Sequence, residues 1–359
     1  TRRASGAPGP GYWQQRADYV IDVELDEAKN RIIGKEKITY HNHSQDTLDY
    51  LWLQLDQNLL DPKMIAAQSR TAPGFSGLSF KKLDAMLLRR KFDGGHKITA
   101  VKDAAGKPLK YVVVQTMMRV IPPTPLKPGK SITFSVEWNY NINDTAKISG
   151  RTGYEYFKED KNHLYAIAQW FPRMCAYTDV TGWQNKQYLG TGEFALEFGN
   201  YLVRITAPAD HVVASTGVLQ NADKILTKTQ RARLAKARTA KKPVFIVNLA
   251  EAKANEKEKA KGKKTWEFKA DNERRVREAA ERGDVHIDGM PLKVTLELTA
   301  DCNFFCRMCE FPAPRESGRK KGYELSTPVE KFDEVIVPNV FPYALVVTLT
   351  VVEGHPYLE

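Results

Sequence analysis

The chain has 359 residues, 42% of them hydrophobic, and a formal net charge of +11. That length suits two or three domains and that apolar content supplies a core. No apolar run approaches the roughly 20 residues that span a bilayer, so no transmembrane helix is expected.

The start, Thr1 to Pro10, shows no initiator Met and no apolar signal-peptide core, so it assigns no compartment. Much of the positive charge lies between Lys224 and Lys264 in Lys/Arg/Glu/Ala runs. Such runs read as solvated helix faces or loops, and a nucleic-acid partner is disfavoured.

In chain order, Ala17 to Leu25 alternates apolar and polar residues and predicts a strand. Ile32 to Tyr40 and Leu51 to Leu55 follow, with Asp/Asn-rich turns at 26–30 and 42–46. Further strands are predicted over 97–101, 111–115, 131–140, 194–205 (broken at Gly199 and Asn200) and 211–219. Frequent short strands predict an antiparallel β-sandwich or saddle-shaped sheet. Ala222 to Ala240 reads as a helix, 251–264 as a charged loop, 265–270 as a strand and 273–282 as a charged helix.

Beyond residue 283 the pattern changes. Leu292 to Thr299 predicts a strand running into a cysteine loop, 327–337 a helix, and Ala344 to Val352 a buried strand. Strand, loop, helix and strand make one βαβ unit. The expected organisation is a β domain over residues 1–272, a junction over 273–283 and a small α/β segment over 284–359.

Of four cysteines, Cys302, Cys306 and Cys309 fall in the spacing C-x3-C-x2-C. Thiolates are soft ligands that suit iron–sulfur clusters and zinc. A structural zinc site takes four ligands, and the nearest further candidate is His286. Zinc and buried structural thiols stand as the alternatives. The cluster favours a reducing, cytoplasmic setting.

The run Leu296-Glu-Leu-Thr-Ala-Asp-Cys302-Asn-Phe-Phe-Cys306-Arg-Met-Cys309 resembles the opening of a radical S-adenosylmethionine (SAM) domain, and Phe341 to Thr350 resembles the second strand of its TIM-like barrel. The resemblance implies a [4Fe-4S] cluster held by Cys302, Cys306 and Cys309. It also implies SAM bound at the open iron and cleaved to a 5′-deoxyadenosyl radical. Met308 matches a position near the adenine. Gly354 and Pro356 match the SAM-contacting turn, in which His355 replaces an acidic residue. About one and a half βα units of such a barrel are present, so this segment reads as a truncated radical SAM domain.

The phrases Gly9 to Tyr19, Leu51 to Asn58, Gln169 to Asp179 and Thr206 to Gly217 together resemble the N-terminal domain of a gluzincin (membrane alanyl) zinc aminopeptidase, over about residues 9–272. That family's domain is a β-saddle packed on a zinc catalytic domain, which implies a periplasmic or membrane-associated setting. Its chemistry needs H-E-x-x-H. None of the seven histidines (41, 43, 96, 163, 211, 286, 355) is followed by Glu or spaced i, i+4, so no zinc site and no catalytic residue is assigned.

Smaller motifs were weighed as well. His41 and His43 read as exposed strand histidines, Glu193 and Glu197 as solvated strand positions, and Gly190 to Gly192 as too short for a phosphate loop. Trp170, Phe171 and Trp183 read as core aromatics. Two functions are expected to compete: a composite or truncated chain carrying cluster and SAM ligation, or a non-catalytic β module for a zinc catalytic partner. A joining of two unrelated gene fragments accounts for both halves.

Overall fold

The computed structural model describes residues 1–2, 4, 9–64, 79–148, 150, 152–159, 161–189, 196–240, 243–257, 261–271 and 344–348. They are mainly β, arranged in mixed sheets with few helices.

β1 (Arg16–Asp26) and β2 (Arg31–His41) form the first hairpin. Their alternation is strict enough that one face of each is buried throughout. Ala17, Tyr19, Ile21, Val23 and Leu25 of β1 stand opposite Tyr40, Ile38, Glu36, Gly34 and Ile32 of β2, so the two rows share one buried face of the sheet. The connection is a short 3-10 turn over Glu27–Lys29. Asp26 Oδ1 accepts from Lys29 N at 3.2 Å, and Asn30 takes the left-handed region that its short polar side chain tolerates.

β3 (Leu51–Gln54), β4 (Lys97–Asp103), β5 (Lys110–Val114), β6 (Met117–Ile121) and β7 (Ser131–Asn141) follow, with α1 (Phe80–Lys91) between β3 and β4. Next come β8 (Gly153–Phe157), β9 (Asn162–Ala168), β10 (Arg173–Met174), β11 (Tyr177–Thr178) and β12 (Gly182–Trp183). β13 (Asn200–Pro208), β14 (Val212–Ser215) and β15 (Val218–Leu219) precede α2 (Ala222–Ile225), α3 (Lys228–Ala237) and α4 (Leu249–Lys257). β16 (Lys263–Asp271) and β17 (Ala344–Thr348) complete the set.

The strands form a seven-stranded sheet in the order β15-β16-β13-β1-β2-β7-β4, a four-stranded sheet β10-β3-β6-β5, a second four-stranded sheet β14-β17-β9-β8, and the pair β11-β12. One hydrophobic cluster draws on all three larger sheets, with Tyr19, Ile38, Leu53, Val120, Trp138, Tyr165 and Val213 among its members.

Four observations correct the expected fold. The large sheet is not wholly antiparallel, because β13 lies parallel to β1. Gly199 permits this entry: a Cβ there would sit 1.7 Å from the Ala17 carbonyl oxygen, so only a bare backbone can pass. The single helix expected over 222–240 is two, because Thr227 caps α3 through a reciprocal box with Gln230. The charged loop expected over 251–264 contains α4, whose Ala/Glu/Lys composition favours helix. Glu251 accepts from Asn248 N at 3.0 Å and Asn248 Oδ1 from Glu251 N at 2.9 Å, which starts the helix. Finally, Ala344–Thr348 is a strand as expected, but its neighbours are β9 and β14, both antiparallel. The strand expected over 292–299, the helix over 327–337 and the junction over 273–283 lie outside the described residues.

Gly34 shows how tightly the central strands constrain one another. It stands opposite Val23 on one side and Trp138 on the other. A Cβ at Gly34 would meet the Trp138 ring at 2.2 Å, so the indole occupies the space that any side chain would take. Gly34→Ala is expected to destabilise the fold by about 1–3 kcal/mol, the usual cost of overpacking. Urea unfolding checks this, and an unchanged midpoint would contradict it.

Candidate functional site

The residues expected to hold a cluster and SAM, Cys302, Cys306, Cys309, Met308, Gly354 and Pro356, all lie outside the described residues. Three of the peptidase-like phrases contribute to two polar arrangements, one buried and one partly exposed, that no spaced motif connects.

The first joins Leu51–Asn58 to Gln169–Cys175. β3 and β10 pair in the register Gln54 to Arg173 and Leu53 to Met174. Just past β3, Asp56 accepts from Arg173 Nε at 2.9 Å and also from Nη2, with both side chains almost fully buried. Gln57 Nε2 donates to the carbonyls of Ala168 and Gln169, at 2.9 and 3.0 Å. Asn58 Oδ1 accepts from His96 N at 2.7 Å, while His96 Nε2 lies 3.1 Å from the Trp170 carbonyl. Burial pulls the His96 imidazole down to about 4, so it is neutral at pH 7. Its ring stands edge-on to Trp138 and Tyr140, with centroids 5.4 Å away in each case. Every charge here is paired and inward-facing. The arrangement is a structural joint, and Trp170 and Phe171 are core residues as expected.

The second arrangement gathers one end of β9 and β14 beside the turn after β1. Glu27 Oε1 lies 3.4 Å from His163 Nδ1 and 3.9 Å from His211 Nε2. These are ion-pair distances, long for hydrogen bonds. His211 Nδ1 lies 3.0 Å from Asp210 Oδ1. The Tyr165 hydroxyl donates to Asn30 Oδ1 at 2.6 Å, and its ring stacks on both imidazoles. The His163 imidazole holds Glu27 below the ordinary carboxylate range. Burial lowers His211, partly offset by Asp210 and Glu27. Glu27, His163 and His211 are far apart in sequence and belong to no spaced motif, so only the sheet brings them together. Among the described residues no group of three or more His, Cys, Asp or Glu side chains is placed to hold a metal ion.

The remaining candidates separate. His41 Nε2 lies 3.1 Å from Asp18 Oδ2, while His43 Nδ1 lies 2.8 Å from the Gln14 carbonyl. Glu193 and Gly190 to Gly192 lie outside the described residues. Glu197 is not solvated: it is 7% exposed, and its carboxylate accepts from Tyr177 N at 2.6 Å. It is buried because Leu196 bridges to Cys175 and pulls the chain under β11. Cys175 is fully buried and its thiol is pushed well up, which makes it inert as a nucleophile.

No family model and no curated protein matches the chain. Solved structures similar to it include an M1 zinc metallopeptidase from Deinococcus radiodurans, at 14% identity and a TM-score of 0.34, covering 74% of this chain and 40% of that one. A mutant of an M1 zinc metallopeptidase from the same organism, bound to a Tyr-Ser-Ala substrate, is 12% identical with a TM-score of 0.35, over 71% of this chain and 39% of that one. The chain thus spans about two fifths of the structures it matches. No helix among the described residues is long and apolar enough to cross a membrane.

Glu197 carries a pH dependence. Burial raises its carboxyl to about 8, so the folded state favours the protonated form. Its stabilising effect is complete below the unfolded value of about 4.5 and is lost as pH rises through about 8. Glu197→Gln is expected to flatten this alkaline limb, raising Tm above about pH 8 by a few degrees per kcal/mol relieved. Thermal melts of wild type and variant across that range check it; parallel curves would contradict it.

Proposed function

We propose that the β assembly is a non-catalytic module of the zinc aminopeptidase type, which packs against a zinc catalytic domain. The observation that carries this reading is β5. All five of its residues are exposed, and Tyr111, Val112, Val113 and Val114 are large apolar side chains on an edge strand. An exposed apolar edge is a hazard that proteins cover with a partner. Phe80, Met86, Leu87 and Leu88 of α1 are exposed apolar residues as well. The peptidase-like phrases add support: Leu51–Asn58 and Gln169–Asp179 build the buried joint at Asp56 and Arg173.

The expected result is negligible hydrolysis of aminoacyl-nitroanilides with added zinc, together with measurable binding to a gluzincin catalytic domain expressed without its own β domain. Val112→Asp with Val114→Asp is expected to weaken that binding at least about tenfold. Turnover abolished by a chelator, or binding indifferent to the double variant, would refute the reading.

A second reading rests on Cys302, Cys306 and Cys309. Three thiolates in C-x3-C-x2-C fit three irons of a [4Fe-4S] cluster, leaving the fourth for SAM, with Met308, Gly354 and Pro356 near the bound SAM. Anaerobic reconstitution of the full chain is expected to give an iron–sulfur EPR signal after reduction that SAM perturbs. Loading with zinc in place of iron would overturn it.

A further inference from the structure

We propose that the gap between β9 and β14 is a strand-acceptor site, and that its occupant is the chain's own Ala344–Thr348. The inference rests on neither functional reading above.

Among the described residues β9 pairs with β8 along its other edge, and β14 has no strand neighbour besides Ala344–Thr348. Without an occupant, the facing edges of both strands would carry unpaired N–H and C=O groups. Strands pair about 4.8 Å apart, so the two edges on either side of an inserted strand are held roughly 10 Å apart, room for one backbone and no more.

Ala344–Thr348 fills it antiparallel on both sides. Ala344, Leu345, Val346 and Val347 lie opposite Ala168, Ile167, Ala166 and Tyr165. Leu345, Val346, Val347 and Thr348 lie opposite Ser215, Ala214, Val213 and Val212.

The register matches the faces of the acceptor. Tyr165, Ile167 and Val213 belong to the buried core, and the positions facing them are Leu345 and Val347. Ala166 and Ala214 are exposed, and the position between them is Val346. The occupant sequence Ala-Leu-Val-Val-Thr has no charge, no Gly and no Pro, and three of its five residues are β-branched, as suits a strand with a neighbour on each side. The site therefore selects an uncharged, β-branched extended segment, with main-chain hydrogen bonds along both edges.

The second polar arrangement lies at one end of the gap. Thr348 stands opposite Val212, next to His211, while Val347 stands opposite Tyr165, two residues from His163. From the turn after β1, Glu27 lies within ion-pair distance of both imidazoles.

The pairing also has a cost for the α/β segment. A strand with both edges occupied here cannot also be the second parallel strand of a barrel. Seating Ala344–Thr348 on the β domain and building a barrel from it are mutually exclusive.

Disulfide trapping in the full chain, with Cys302, Cys306 and Cys309 changed to Ser to prevent exchange, tests the site. Ala166→Cys paired with Val346→Cys places two thiols opposite each other on an exposed face. Ala166→Cys paired with Leu345→Cys places them on opposite faces. The matched pair is expected to cross-link within one chain about tenfold more than the mismatched pair. Equal or absent cross-linking overturns the proposal, and a cross-linked dimer overturns the assignment to the same chain by giving the strand to a second copy. Hydrogen exchange supplies an independent readout. Val346→Pro, which removes one N–H from the centre of the strand, is expected to speed exchange at β9 and β14 amides while leaving β1 and β2 unchanged. No change at β9 and β14 would also overturn it.

Discussion

The buried ion pair between Asp56 and Arg173 is the constraint on which the β assembly turns. Two charges taken out of water cost several kcal/mol each unless they are paired and their remaining valences are used. Asp56 sits just past β3 and Arg173 opens β10, which stands beside β3. The pair therefore forms only when the 169–175 segment lies against the end of β3. The neighbouring Gln57 carboxamide then reaches the Ala168 and Gln169 carbonyls, and Trp170 and Phe171 enter the core together. Because removing either charge would strand the other, the joint penalises every arrangement that separates β10 from β3, and Gln57 ties the end of β3 to the end of β9 in the third sheet.

Around that joint the sequence was legible where one face is buried and the other is wet. Alternation in β1, β2 and β7 follows directly from this, and their buried rows fall where the period of two predicts. Legibility failed where tertiary context decides. β8 and β9 combine partly buried positions on both faces and show no clean period. The parallel partnership of β1 with β13 depends on the bare backbone of Gly199, a property visible only once Ala17 is placed beside it. Glu197 reads as a solvated strand position yet is buried, and Glu36, in phase with Ile32 and Ile38, is a carboxyl in the buried row of β2. Neither carboxyl oxygen of Glu36 has a hydrogen-bond partner among the described residues, and burial pushes its carboxyl well up.

The candidate site divides along the same line. Cysteine spacing is a one-dimensional property, so Cys302, Cys306 and Cys309 stand out in sequence without any fold. The Glu27, His163 and His211 arrangement is the reverse. Its members come from a turn, from β9 and from the residue before β14, so no spacing rule connects them. What connects them is the order of the sheet to which β9 and β14 belong.

Sheet edges link these observations. Two sets of strand edges contrast: β5, an outer edge whose apolar residues are exposed, and the facing edges of β9 and β14, between which Ala344–Thr348 lies. Backbone groups at an edge attract any strand of suitable composition, because main-chain hydrogen bonds do not read sequence. Specificity must come from the faces. At β5 both faces are apolar and open, which suits a broad partner surface. Between β9 and β14 one face belongs to the core and the other presents two alanines, so the occupant is read residue by residue. The run from Ala344 is apolar enough to serve as a central strand in either a parallel barrel or this sheet. It can take only one of the two places. The edges of β9 and β14 belong to a domain already closed around the Asp56–Arg173 joint, whereas a barrel strand needs parallel neighbours on both sides before its own hydrogen bonds are satisfied.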